Sequence, residues 1–227
     1  MDDLQKLSHI IGQVGPDNVW RPVYTPGKTR LAKGAGNFRD GLPMNALDFQ
    51  GKTVVDMGCN FGFYSFLVGY AGAAHVTGVD IDSRIIEGCR ILKRLYKIDT
   101  VSFLVADITR SPPIGKFDTG MMVDFIGKSM VADGSLRTYL DVLEKMSQEE
   151  MIVNVRPAYK IAKHLGSDFR GLLAEYPREY VGKKYFHTLA YVQDRFGSRW
   201  DMQCLCPPCE AVTWKKKALR FTRKSAA

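Results

Sequence analysis

Three acids, each closing an apolar run, have the types and spacing to do chemistry together. They are Asp56 after Val54-Val55, Asp80 after Val76-Thr77-Gly78-Val79, and Asp107 after Val105-Ala106. The first opens into Gly58-Cys59-Asn60-Phe61-Gly62, whose glycines let the backbone turn tightly and approach a ligand closely. Asp80 stands eighteen residues after Gly62, where a carboxylate can accept hydrogen bonds from both ribose hydroxyls. An acceptor at Asp107 can meet an adenine amino group, so a nucleoside ligand is implied. The turn does not fit the dinucleotide pattern G-x-G-x-x-G, and the chain has no G-x-x-x-x-G-K-[ST] phosphate loop. An acid at Asp56 suits a cationic sulfonium with an amino-acid tail and sits poorly beside a pyrophosphate.

These residues need a sheet to bring them to one edge. Strand-like runs occur at Lys52–Met57, Val76–Asp80, Val101–Val105, Phe117–Val123 and Met151–Val155, rich in Val, Ile, Phe or Met, as in strands covered on both faces. Between them, Asp82 or Ser83 can cap a helix carrying Ile85, Cys89, Leu92 and Tyr96 on one stripe; Leu136, Tyr139, Leu140, Leu143 and Met146 mark a second. The alternation predicts a doubly wound, mostly parallel α/β sheet that binds ligands beyond the carboxyl ends of its strands. A helical insert is expected over about 158–197, and then a C-terminal antiparallel hairpin of Trp200–Leu205 and Val212–Thr222, because Cys206–Glu210 is too short for a crossover helix. Residues 1–45 hold too many Gly and Pro for an extended regular element. They read as a helix and loop layer ahead of a domain over 46–227.

Asp56-Met57-Gly58-Cys59-Asn60-Phe61-Gly62 resembles motif I of the class I S-adenosylmethionine-dependent methyltransferases, E/D-x-G-x-G-x-G, with Asn60 in place of the middle glycine. Gly78-Val79-Asp80 and Ala106-Asp107 resemble the two motifs that follow it. The resemblance covers about residues 51–155 and implies a Rossmann-like, seven-stranded sheet and the cofactor S-adenosyl-L-methionine. It implies that Asp56 and the loop of Gly58, Cys59, Asn60 and Gly62 hold the methionine part, Asp80 the ribose, Ile81 an adenine face and Asp107 the adenine edge. Val123, with Asp124, then lines the methyl-donor pocket.

The acceptor side is less constrained. Methyl transfer is a direct displacement that depends on holding the acceptor in line, and a general base is optional. Asp124 and Lys128 after the fourth strand, Arg156 and Tyr159 after the fifth, and His164 are candidates to face the crevice. Trp20, Arg21, Tyr24, Lys28, Arg30, Phe38 and Arg39 interleave aromatic and basic side chains ahead of the first strand. Of these, Trp20, Arg21, Tyr24 and Arg39, with His187 in the insert, are the candidate acceptor-binding residues, the N-terminal segment acting as a lid.

Charge and cysteines bound the alternatives. The net +8 lies in the last third: residues 151–227 hold 15 Lys and Arg against 6 Asp and Glu, whereas 1–150 hold 17 against 18. A small, anionic or hydroxyl-bearing acceptor is the first reading, RNA modification through the basic C-terminal region the second, and a non-catalytic cofactor-binding subunit the third. No Asn-Pro-Pro-Tyr or Asp-Pro-Pro-Tyr box and no Pro-Cys nucleophile follows the fourth strand, which disfavours methylation of base amino groups and of cytosine C5. Cys204, Cys206 and Cys209 supply three thiols where closed metal sites use four ligands, so no metal is assigned and reduced cysteines are expected. With no apolar run long enough to span a membrane and an acidic start, a cytoplasmic protein without a membrane partner is expected.

Overall fold

The computed structural model describes all residues except 38–40, 167, 207–214 and 226–227. The chain opens with α1 (Asp3–Val14), whose Asp2 and Gln5 form a reciprocal capping box. A small ribbon of β1 (Val23–Tyr24) and β2 (Arg30–Ala32) follows. The main α/β alternation runs through β3 (Thr53–Met57), α2 (Phe63–Tyr70), β4 (His75–Asp80), α3 (Ser83–Tyr96), β5 (Val101–Val105), β6 (Phe117–Met122), α4 (Lys128–Ala132), α5 (Leu136–Met146) and β7 (Ser147–Val155). The predicted capping of α3 holds: Asp82 accepts from the backbone N–H of Arg84.

The seven strands pair in the order β10-β11-β7-β6-β3-β4-β5, where β10 is Trp200–Cys204 and β11 is Lys217–Arg223. β11 alone runs against its neighbours, pairing antiparallel with both β7 and β10. The antiparallel hairpin is therefore present, its second strand beginning at Lys217 rather than Val212, with 212–214 outside the described residues; the order reverses between β3 and β6, the position at which doubly wound sheets open a ligand crevice. Two buried clusters cover the sheet, one under α1, α2 and α3 and the other under α4, α5 and the insert.

Three expectations need correction. β7 begins at Ser147, four residues before the apolar run, because buried Glu150 is neutralised within the sheet by Lys52 at 3.2 Å, by Arg220, and by the Thr119 hydroxyl. The insert is not wholly helical. It contains the strand pair β8 (Tyr159–Lys160) and β9 (Tyr185–Phe186), a π-helical turn at Ile161–Leu165, α6 (Phe169–Glu175) and α7 (Thr188–Gly197). Cys204 is disulfide-bonded rather than reduced, while Cys59, Cys89 and Cys206 are free thiols. Cys209 lies outside the described residues. Among the described residues no group of three His, Cys, Asp or Glu is arranged to hold a metal, and no helix is long and apolar enough to cross a membrane.

Candidate active site

The crevice is built around the turn after β3. Gly58 and Gly62 have φ of 73° and 74°, and Asn60, between them, has φ 48°. Asparagine tolerates this left-handed region better than most residues. Its amide also has work there: Oδ1 accepts from the Trp20 backbone N–H at 3.0 Å, and Nδ2 donates to the Asn18 carbonyl at 2.8 Å. The residue that departs from the glycine pattern thus fastens the N-terminal layer across the loop. α1 runs antiparallel to α3, with Lys6 on Glu87 and Asp3 on Arg94, and delivers Asn18, Trp20 and Arg21 to the crevice.

Asp56, Gly58, Cys59, Asn60, Asp80, Val123 and Asp124 line one cavity of about 270 Å³ together with Trp20, Arg21 and Tyr64. Asp56 is 2% exposed. Burial pushes its carboxyl up to about 6, against the hydrogen bond donated by Ser65 at 2.7 Å. Burial likewise raises Asp80, whose two oxygens accept from the backbone N–H groups of Asn60 and Asp82. Across the cavity Arg21, 5% exposed, donates through Nε to Asp124 at 2.6 Å, and its guanidinium lies 5.5 Å from the Tyr64 ring centre.

Asp124 is the most constrained of the candidate residues. Its φ is 59°, a conformation that costs a non-glycine residue on the order of 1 kcal/mol or more. Buried Asn154 holds it there, accepting from the Asp124 N–H at 2.6 Å and donating to its carboxylate at 2.9 Å. Lys216 adds an ion pair at 3.0 Å. Burial alone would raise this carboxyl, but Lys216, Asn154 and Arg21 together hold it below the usual carboxylate range. A carboxylate so stabilised is a weak base; it anchors cations.

A second cavity, of about 170 Å³, is lined by Gly58, Val79, Asp80, Ile81, Ala106, Asp107, Ile108, Phe125, Met130 and Tyr139. Ile81 is 68% exposed at its rim, and Asp107 accepts from the backbone and hydroxyl of Thr109. The Phe125 ring lies directly on Gly58, where an added Cβ would fall 2.0 Å from it, and stands edge-on to Tyr139 at 5.2 Å. Phe125 and Tyr139 were not legible as site residues. Phe125 follows a strand end with no motif of its own, and Tyr139 reads as one more apolar position on α5.

A third cavity, of about 530 Å³, shares Trp20, Asp124 and Phe125 with the first and adds Lys128, Arg156, Tyr159, Lys163, His164 and Lys216. The candidates after the fourth and fifth strands therefore converge. His164 accepts the Lys160 N–H on Nδ1 at 3.0 Å, so its neutral ring carries the proton on Nε2. Burial and then the charges of Arg156, Lys163, Lys160 and Lys128 lower its pKa.

Two expected acceptor contacts are not brought together with the others. Tyr24 lines none of the three cavities; its carbonyl accepts from the Tyr96 hydroxyl, at the end of α3, at 2.6 Å. His187 is an exposed residue preceding α7 and lines none of the three cavities. Phe38 and Arg39 fall outside the described residues. The basic C-terminal strand also differs from expectation, since β11 is interior to the sheet and its cations are used within the fold. Arg220 pairs with Glu150, Arg223 stacks on Trp200 at 4.2 Å, and Lys224 donates to the Gly197 carbonyl.

The donor set fits S-adenosylmethionine. A buried carboxylate and a guanidinium face one cavity, as an amino-acid zwitterion requires. Asp80 borders both this cavity and the next, as a ribose requires, and the next is walled by flat and aliphatic side chains, as an adenine requires. Asp80→Ala is expected to weaken the cofactor by about 1.5–3 kcal/mol in calorimetry; an unchanged dissociation constant in a folded variant would count against this assignment.

Comparison with known proteins agrees with the fold. The ribosomal protein L11 methyltransferase of Sodalis glossinidius is 36% identical over 81 residues, 31% of this chain and 28% of that protein. Protein arginine N-methyltransferase 1 of Schizosaccharomyces pombe is 28% identical over 105 residues, 46% of this chain and 31% of the relative. The matches thus span less than a third of either relative. Among solved structures, magnesium protoporphyrin IX methyltransferase from Synechocystis PCC 6803, with bound SAH, superposes with a TM-score of 0.54 at 17% identity, covering 80% of this chain and 78% of that one. The ribosomal protein L11 methylase from Lactobacillus delbrueckii gives 0.50 at 15% identity, covering 80% and 75%. Residues 48–222 match the family described as methyltransferase domain, and with the strand order, the glycine turn and the three strand-end acids in place, the chain belongs to the class I S-adenosylmethionine-dependent methyltransferases.

Proposed function

We propose that this protein transfers a methyl group from S-adenosylmethionine to a small anionic acceptor bound in the third cavity. One observation carries the reading: the cavity that adjoins the methionine-binding one is lined by Lys128, Arg156, Lys163, His164 and Lys216, and its single carboxylate, Asp124, is already neutralised by Arg21 and Lys216. No carboxylate pairs with Lys128, Arg156 or Lys163 among the described residues. The cofactor supplies an electrophilic methyl group when bound. Asp56 faces its ammonium, Arg21 its carboxylate, Asp80 its ribose and Asp107 the adenine edge.

The chain's remaining task is alignment. Arg156 and Lys128 draw the acceptor anion toward Phe125, Trp20 excludes water from above, and the neutral His164 can donate a hydrogen bond from Nε2. Asp124 acts as a positioning residue that fixes Arg21 and Lys216 at the boundary of the two cavities. RNA is a poorer fit as acceptor, because the cations of β11 that suggested it are occupied inside the fold.

The test is label transfer from methyl-labelled cofactor to a panel of small carboxylates and phosphate esters, with bulk tRNA and a basic ribosomal protein as competitors. Label is expected in a small anion, and Lys128→Ala/Arg156→Ala is expected to lower kcat/KM about 100-fold or more, the loss of two charge-assisted contacts. Label in RNA or protein alone overturns the reading.

A further inference from the structure

The insert carries lysines that pair with no carboxylate among the described residues, and they do not stop at the acceptor cavity. On the other side of the π-helical turn Ile161–Leu165 lies a fourth cavity of about 510 Å³, lined by Lys160, Ile161, Ala162, Lys163, Asp168, Phe169, Lys183, Lys184 and Tyr185. Lys163 lines both cavities, so the turn contributes to the walls of each. π-helical turns are rare and occur disproportionately at functional sites.

The chemistry of this cavity is specific. Lys163, Lys183 and Lys184 make no ion pair among the described residues. The one carboxylate among the described lining residues, Asp168, is engaged at the start of α6, where it accepts from the Gly171 N–H at 2.6 Å. Buried Ile161 and half-buried Phe169 and Tyr185 form the walls. Among the described residues the cavity has no arginine, the residue that grips carboxylates in a planar two-point contact, and holds several lysines, which bind phosphate as point charges. Several ammonium groups converging on an apolar-walled cleft match a compact dianion carried on an organic body.

We propose that the fourth cavity binds a phosphate monoester group at the far end of the acceptor, so that the substrate is a phosphorylated small molecule spanning the π-helical turn. This rests on the third cavity being the acceptor site. Phosphate near Lys183 and Lys184 and the reacting atom near Phe125 would place both ends of one ligand on a continuous basic track through Lys163.

The experiment uses the full chain and inorganic phosphate as probe, titrated by calorimetry at constant ionic strength, with chloride as the balancing anion. Lys183→Ala/Lys184→Ala removes two exposed side chains and leaves the core untouched. Its phosphate affinity is expected to fall about tenfold or more, from the loss of two charge-assisted contacts, while cofactor affinity stays at the wild-type value. Equal phosphate affinity in this variant and the wild type overturns the proposal, as does binding that tracks ionic strength alone. A short RNA that binds the wild type, loses binding in the variant and is not displaced by inorganic phosphate also overturns it, in favour of a phosphodiester. Lys128→Ala/Arg156→Ala separates the two readings. If it transfers methyl groups to small anions as well as the wild type while Lys183→Ala/Lys184→Ala still loses phosphate, the third-cavity reading fails and the phosphate site stands by itself.

Discussion

Asp56→Asn is expected to yield a more stable protein that has lost its cofactor. Burial holds this carboxyl at about 6 against an ordinary 3.8, a difference of about 3 kcal/mol at 1.36 kcal/mol per unit. Because the folded value is the higher one, the protein loses stability as pH rises from the unfolded value to about 6, and the penalty is complete at neutral pH. Asparagine removes the charge and can still accept from the Ser65 hydroxyl, so a gain of about 2–3 kcal/mol in urea unfolding at neutral pH is expected, vanishing in acid. The opposite holds for binding. A cationic ligand favours the ionised form, so wild-type affinity should fall by up to about tenfold per pH unit below 6, with proton release on binding just below that point. A variant that is no more stable than wild type, or that keeps its affinity, would show that Asp56 is not held as an uncompensated buried acid facing the ligand.

Arg21→Met is expected to cost both stability and binding. The guanidinium is one of two cations on buried Asp124. Removing one partner of a buried pair is worth about 3–5 kcal/mol when nothing replaces it; with Lys216 and Asn154 remaining, about 2–3 kcal/mol is expected by chemical denaturation. The pH signature follows from the lowered Asp124 pKa. Its contribution is present above the ordinary carboxylate value and disappears as pH falls through the lowered one, so the variant should lose stability at a higher pH than wild type. Cofactor affinity should fall about 10- to 100-fold, the loss of a charge-assisted contact to the ligand carboxylate. Arg21→Lys should recover part of both losses. Wild-type calorimetry in a folded Arg21→Met would move Arg21 from the cofactor to a purely structural role.

The parts legible in the sequence are those whose physics is local. Asp56 and Asp80 could be found because each ends an apolar strand, Asp107 because it follows one, although that edge strand leaves Leu104 and Val105 exposed rather than covered, and Gly58 and Gly62 because a turn there needs positive φ. The N-terminal candidates divided along the same line. Trp20 and Arg21 reach the crevice because Asn60 ties the backbone down beside them, whereas Tyr24, three residues later, lines none of the cavities and is held through its carbonyl by Tyr96. Residue type could not separate them, since the hydrogen bonds that hold Trp20 and Tyr24 come from 40 and 72 positions away. The basic C-terminal strand was misleading for a related reason. A run of lysines and arginines has the same composition whether it faces solvent or a buried Glu150, and only the pairing of β11 with β7 distinguishes these cases. The insert resisted reading because its short strands and π-helical turn are stabilised by packing on α4 and on each other, with no periodicity long enough to register.

The position of β11 has a consequence for how the protein is made. Residues 217–223 are the last of the seven strands to leave the ribosome, yet they lie inside the sheet, between β7 and β10. Until they arrive, β7 presents an open edge of hydrogen-bonding groups, and β10 has no neighbour to pair with. The residue just before it, Lys216, pairs with Asp124, so the third cavity gains this cation in the step that closes the sheet. A nascent chain can thus assemble β3 to β7 and the glycine turn before β11 emerges, and the third cavity gains Lys216 only afterwards. Until β11 has paired, the edge of β7 is the part of the sheet most open to pairing with another chain.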